Sequence, residues 1–156
     1  EFAYALDLSI VRDNGSLAYS EALADGVAID TADKIWHDTR TILTGADDDL
    51  DLTALTNSIF GSTVTINFAK VKAILIVNTD TDTGDELVLK ASATNGFAAW
   101  ANGVTASNAF IGPDGALLLS NKKDGWTVDA THKVLRITNP NAGSVIYKIA
   151  IIGTSA

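Results

Sequence analysis

The chain has 156 residues, the size of one domain. With 47% hydrophobic and 19% charged residues it is not a disordered chain, and it is too short for two full cores. The 11 Lys and Arg against 19 Asp and Glu leave a net charge of −8, opposite in sign to the basic footprint of a duplex-binding protein, so no nucleic acid is expected as a partner.

The first segment alternates, with Phe2, Tyr4, Leu6, Leu8 and Ile10 on one side and Ala3, Ala5, Asp7 and Ser9 on the other. Period two predicts a strand with one buried face. Asn14-Gly15 is a tight-turn pair, and residues 17–19 are the expected partner. Residues 20–23 fit one helical turn, closed by Asp25-Gly26, before a short extended stretch at Val27 and Ile29. Residues 1–33 therefore read as an N-terminal hairpin or arm, which packs on the chain's own sheet or on a neighbour's. The chain starts without Met, and its first residues lack the basic, apolar and small-residue layout of a signal peptide.

From Ile35 strand signals recur at the rhythm of an all-β fold. Residues 35–43 form one strand. The acidic loop 45–49 leads to Leu50 and Leu52, and residues 52–60 fit a short helix capped by Gly61. Val64, Ile66 and Phe68 alternate with polar residues. Residues 71–77 are apolar except for Lys72, the mark of a central strand covered on both faces. The polar loop 78–85 precedes Leu87, Val88 and Leu89. Residues 98–108 form a loop carrying Trp100, and Pro113-Asp114-Gly115 is a turn that launches 116–119. Trp126 and Val128, then Val134, Leu135 and Ile137, are short strands. Residues 145–152 close the sheet. The expectation for 34–156 is an all-β, two-sheet β-sandwich, jelly-roll-like, with at most two short helices. No run approaches the roughly 18 apolar residues of a spanning helix, so no membrane is expected.

Chemical motifs are sparse. The chain has no Cys, hence no thiolate metal site or cysteine nucleophile. Loop 78–86 offers oxygens at alternate positions, but Thr83 stands where a helix–loop–helix calcium site needs Gly and Leu89 where it needs Glu. It reads as a solvated hairpin loop, and Asp47, Asp48, Asp49 and Asp51 as acids facing water. His37 and His132 are the only histidines, too few for zinc without carboxylate help. His37 and Asp38, as neighbours on a strand, face opposite sides. No nucleophile elbow and no phosphate-cradling loop occurs, so no catalytic residue, metal or cofactor is assigned. Trp36, Trp100 and Trp126 are core, subunit-interface or exposed ligand contacts.

A resemblance supplies a function. The string Lys34-Ile35-Trp36-His37-Asp38-Thr39-Arg40-Thr41 precedes an acidic loop, Asp51-Leu52 and Phe60-Gly61. There follow Phe68-Ala69-Lys70-Val71-Lys72-Ala73, Asn95-Gly96-Phe97 with Trp100, and Pro113-Asp114-Gly115-Ala116-Leu117-Leu118-Leu119. The chain closes on Tyr147-Lys148-Ile149-Ala150-Ile151-Ile152-Gly153-Thr154-Ser155. This order resembles a family of small virion structural proteins of tailed bacteriophages, found among head genes, over residues 34–156. The chain departs from the family at Pro113-Asp114-Gly115, where Pro-Gly-Gly is expected, and keeps a workable turn.

The resemblance implies a non-enzymatic capsid decoration (cement) protein on the outer capsid of the virion, assembled in the host cytoplasm. Its partners would be the major capsid protein and copies of itself, a trimer being favoured. Phe2, Tyr4, Leu6, Trp36 and Trp100 are the candidate interface residues. The Phe2–Ile10 strand is either exchanged with a neighbour or an ordinary edge strand. The alternative is a receptor- or glycan-binding module of a tail or fibre, with Trp100, Asn102 and Asn108 at the ligand; a carboxylate enzyme is the third reading.

Overall fold

Alternation of apolar and polar side chains decides almost every element. The structure, a computed structural model, describes residues 22–156 and the backbone of two short strands before them, β1 (Phe2–Ala3) and β2 (Ala18–Tyr19). These two pair antiparallel, Phe2 opposite Tyr19 and Ala3 opposite Ala18. The turn expected at Asn14-Gly15, the helical turn at 20–23 and the remainder of the Phe2–Ile10 strand lie outside the wholly described residues. Then follow β3 (Lys34–Ile42), β4 (Asp47–Asp51), β5 (Leu55–Ile59), β6 (Ser62–Ile66), β7 (Lys70–Asn78) and β8 (Leu87–Ala91). A three-residue 3-10 helix (Ala99–Ala101) precedes β9 (Asn108–Ile111), β10 (Ala116–Ser120), β11 (Trp126–Thr127), β12 (Val134–Thr138) and β13 (Val145–Thr154). The fold is all-β.

Two antiparallel sheets carry it. The first runs β10-β7-β13-β3, with β11 extending the start of β7; the second runs β4-β12-β8-β9. Pairing is nested. β3 pairs with β13, β4 with β12, β7 with β10 and β8 with β9, so early strands meet late ones and successive pairs fall in alternate sheets. Inward residues of both sheets merge into one core. Trp36, Ile74, Ile76, Tyr147, Ile149 and Ile151 meet Leu50, Leu87, Leu89, Leu135 and Ile137, and Leu52, Phe68 and Phe97 join the same cluster. Burying a side chain of this size contributes about 1.5–3 kcal/mol.

Polar groups lock the corners. The Asn139 side-chain amide donates to the carbonyls of Ile42, Leu43 and Gly143, and that of Asn78 donates to those of Asp85 and Ile111. The buried Lys72 ammonium donates to the Lys123 carbonyl at 2.7 Å. At Gly153 the register of β13 against β7 shifts, and a Cβ there would collide with the Lys70 carbonyl oxygen.

Four expectations are corrected. Residues 52–60 are not a helix: 55–66 form the β5–β6 hairpin, whose β-branched Thr, Ile and Val side chains suit a pleated ribbon. The acids at 47–49 belong to strand β4, held there by pairing with β12. Strand β7 is central but covered on one face only, because Ala73, Leu75 and Val77 are half-buried while Ile74 and Ile76 are sealed. Loop 78–86 joins strands of different sheets and is no hairpin.

Candidate functional site

The β5–β6 hairpin is an apolar ribbon that outruns the body supporting it. At its base Leu55 is buried, and the Trp36 indole N–H donates to the Thr56 carbonyl at 3.0 Å. One face carries Leu55, Asn57 and Ile59 opposite Ile66, Val64 and Ser62; the other carries only Thr56, Ser58, Thr63 and Thr65. Burial fades along the first face, so that Val64, Ile59 and Phe60 at the far end are exposed. No charged residue occurs between Asp51 and Lys70.

Phe60 forms the tip. Its φ of 50° and the 80° of Gly61 build the two-residue turn that matches strand twist, a site normally held by Asn, Asp or Gly. A bulky residue in the left-handed region costs about 1 kcal/mol, and the ring is fully exposed. Burying that ring would return about 2 kcal/mol. Backbone strain and full exposure therefore coincide at this one position.

The outer face of the β10-β7-β13-β3 sheet is a second surface poor in charge. Register places its side chains in rows: Ser120, Ala73, Ile152, Ile35; then Leu118, Leu75, Ala150, His37; then Ala116, Val77, Lys148, Thr39. Lys148 is the only Lys, Arg, Asp or Glu among them, and it has no ion-pair partner among the described residues. Ile35 and Leu118 are more than half exposed. A shallow hollow of about 260 Å³ lies among His37, Thr39, Leu75, Val77, Lys148 and Ala150.

The opposite sheet presents charge instead. Arg136 grips Asp49 with two bonds of 2.6 Å and reaches Asp47 at 2.8 Å, while Lys133 holds Asp51 at 2.7 Å. Asp51 sits below the usual carboxylate range: burial pushes it up, but hydrogen bonds from Lys133 and Thr53 outweigh that. A groove of about 550 Å³ runs beside Lys90, His132 and Arg136, and its Arg136 is already committed to Asp47 and Asp49. Asp48 points the other way and closes the seam between the sheets. It accepts two bonds from Arg40, at 2.6 and 2.8 Å, and one from the Tyr147 hydroxyl at 2.9 Å. Burial first, then the Asp48 charge, pushes the Tyr147 hydroxyl far up, so it stays a neutral donor.

The aromatic candidates separate. Trp36 is 1% exposed and belongs to the core, which removes it from the interface set. Trp100, in the 3-10 helix, packs half-buried against the core and donates its indole N–H to the Phe97 carbonyl at 3.2 Å. Phe2, Tyr4 and Leu6 lie outside the residues whose side chains are described. His132 places Nδ1 3.0 Å from Asp129 and 3.1 Å from the Thr131 hydroxyl. Both partners meet the same ring nitrogen, so the ring does not bridge Thr131 to Asp129. Asp80, Asp82 and Asp85 bring carboxylate oxygens within 4.8 Å of one another, with Asp80 accepting from the Asp82 amide in a local turn.

Phe60, Leu75, Val77 and Leu118 were missed as surface residues by sequence reasoning. The charge-free run from 52 to 69 and the Phe-Gly pair are the signals that point to the first of them. Compared with protein-family models and with curated proteins, the sequence matches none.

Proposed function

We propose that this chain is a non-enzymatic structural protein of a bacteriophage virion, which decorates the outer capsid and stabilises the shell. The resemblance of residues 34–156 to head-gene proteins names the setting. We also read the nested pairing of the sandwich as jelly-roll winding.

The observation that carries the proposal is the hairpin tip. Phe60, with Ile59 and Val64 behind it, is an uncharged plug on a ribbon pinned to the core through Leu55 and Trp36. Such a plug suits an apolar pocket on a protein surface, where one aromatic anchor supplies much of the binding energy. The shell's major capsid protein is the proposed partner, and the acidic remainder keeps the exterior soluble. A glycan-binding role for Trp100 would rest on a ring half-buried against the core, whereas the Phe60 ring is fully exposed.

Mixing the chain with expanded shells of its particle tests the reading. Bound chain should sediment with the shells and raise the temperature at which they break; failure to bind at micromolar concentration refutes it.

A further inference from the structure

We propose that Asn102 is a site of self-modification, at which the side-chain amide is lost as ammonia through a ring closed by the Gly103 nitrogen, while the fold preserves the same residue pair at Asn95-Gly96. The chain carries three Asn-Gly pairs, at 14–15, 95–96 and 102–103. A glycine after asparagine leaves the attacking nitrogen unshielded, because no Cβ stands beside it. Once deprotonated, the Gly103 nitrogen attacks Asn102 Cγ. The new N–C bond forms, the Cγ–Nδ2 bond breaks, and Nδ2 leaves as ammonia with the proton. Water, the only co-reactant, then opens the five-membered imide at either carbonyl. One opening gives aspartate, the other isoaspartate with the main chain rerouted through the side chain.

Ring closure has to turn the Asn–Gly peptide plane, so the bonds on that plane and its neighbour govern the rate. At Asn95 the carbonyl accepts from the amides of Lys133 and Val134, both at 2.8 Å, and the Phe97 amide donates back to the Val134 carbonyl at 2.8 Å. Gly96 is buried, and a Cβ on it would run into the Ser92 carbonyl. The Asn95 side chain is exposed, so access of water does not protect it; the clamped backbone does. At Asn102 the carbonyl accepts no hydrogen bond among the described residues. Its peptide plane is held by one bond, from the Gly103 amide to the Ala98 carbonyl at 2.9 Å. Asn102 and Gly103 are both exposed, with open space around Gly103, and Asn102 caps a helix of only three residues. So short a turn opens locally at little cost. One hydrogen bond is worth about fivefold in an opening equilibrium, so the two additional bonds at Asn95 should slow its loss at least tenfold.

Incubation of the native chain in mildly alkaline buffer tests it, followed by mass spectrometry of chymotryptic peptides. Cleavage after Phe97 and Trp100 parts the two asparagines, and the peptide carrying Asn14 is read separately. The Asn102 peptide should convert from amide to acid with isoaspartate among the products, and the Asn95 peptide about tenfold or more slowly. In concentrated urea the two should convert at similar rates, because the selectivity belongs to the fold. An Asn102 that stays intact in the native chain overturns the proposal, as does an Asn95 that converts equally fast. Conversion to aspartate alone, or the same selectivity persisting in urea, overturns it too.

Discussion

Adjacent residues of strand β7 should respond very differently to truncation. Ile76 is sealed between the sheets, opposite Leu117 and Ile149, whereas Leu75 faces outward beside Leu118 and Ala150. Replacing a fully buried Ile with Ala costs about 2–5 kcal/mol. With no exposure left at Ile76, about 4 kcal/mol is expected, and at roughly 2–4 °C per kcal/mol for this size the melting point should fall by about 12 °C. Leu75 gives up only about half of the burial energy of a Leu, so Leu75→Ala should cost about 1 kcal/mol. Urea unfolding followed by tryptophan fluorescence, at several protein concentrations, separates the two. The Ile76→Ala cost should exceed the Leu75→Ala cost at every concentration. Equal costs at the lowest concentration would mean that the outer face is already covered in the single chain, and the reasoning would fail.

Other variants probe the remaining supports. Asp48→Ala strips Arg40 of its main partner and leaves the buried Tyr147 hydroxyl without an acceptor, so a loss of about 3 kcal/mol is expected against about 1 for Tyr147→Phe, read by chemical denaturation. Gly153→Ala drives a methyl group into the Lys70 carbonyl and should cost at least about 2 kcal/mol or abolish soluble expression. Phe60→Asn relieves the turn, so its melting point should hold or rise while shell binding falls at least tenfold. Acid should destabilise the chain, because several carboxylates titrate low. Asp33 is lowered first by the Ser155 hydroxyl, Asp51 by Lys133 and Thr53 against burial, and Asp129, to about 2, by the Thr131 amide and then His132. Depressed folded values mean that the contribution is intact above the unfolded value near 3.9 and vanishes as pH falls below it. Melting points from pH 7 to pH 2 should therefore hold until about pH 4 and then drop, with a shallower drop in Asp51→Asn.

The strand periodicity was legible where one rule dominated. Residues 145–152 and 35–42 read as strands from their β-branched and aromatic content, and the turn at Pro113-Asp114-Gly115 delivers β10 as expected, with Asp114 at a φ of 52°. The hairpin was not legible, because Leu52, Leu55 and Ile59 fit a helical stripe, while Leu55 and Ile59 alone also fit alternate strand positions. Gly61 in the left-handed region likewise serves a helix cap and a hairpin turn alike. The acids of β4 looked like a loop because their partners, Arg136 and Lys133, lie more than eighty positions away. Trp36 was misjudged for a related reason. Its side of β3 also carries Asp38 and Arg40, which looks like a wet face until Asp48 arrives from the other sheet. Nor can an apolar run such as 71–77 say whether one face or both are covered, since that depends on what else packs there.

Electron cryo-microscopy of shells decorated with this chain tests the central claim most directly. The account predicts the Ile59-Phe60-Gly61 turn lodged in an apolar pocket of the shell protein, with the Asp47–Asp51 strand facing solvent. Density that leaves the hairpin tip in open water, or shells that carry no density for the chain at all, would contradict it.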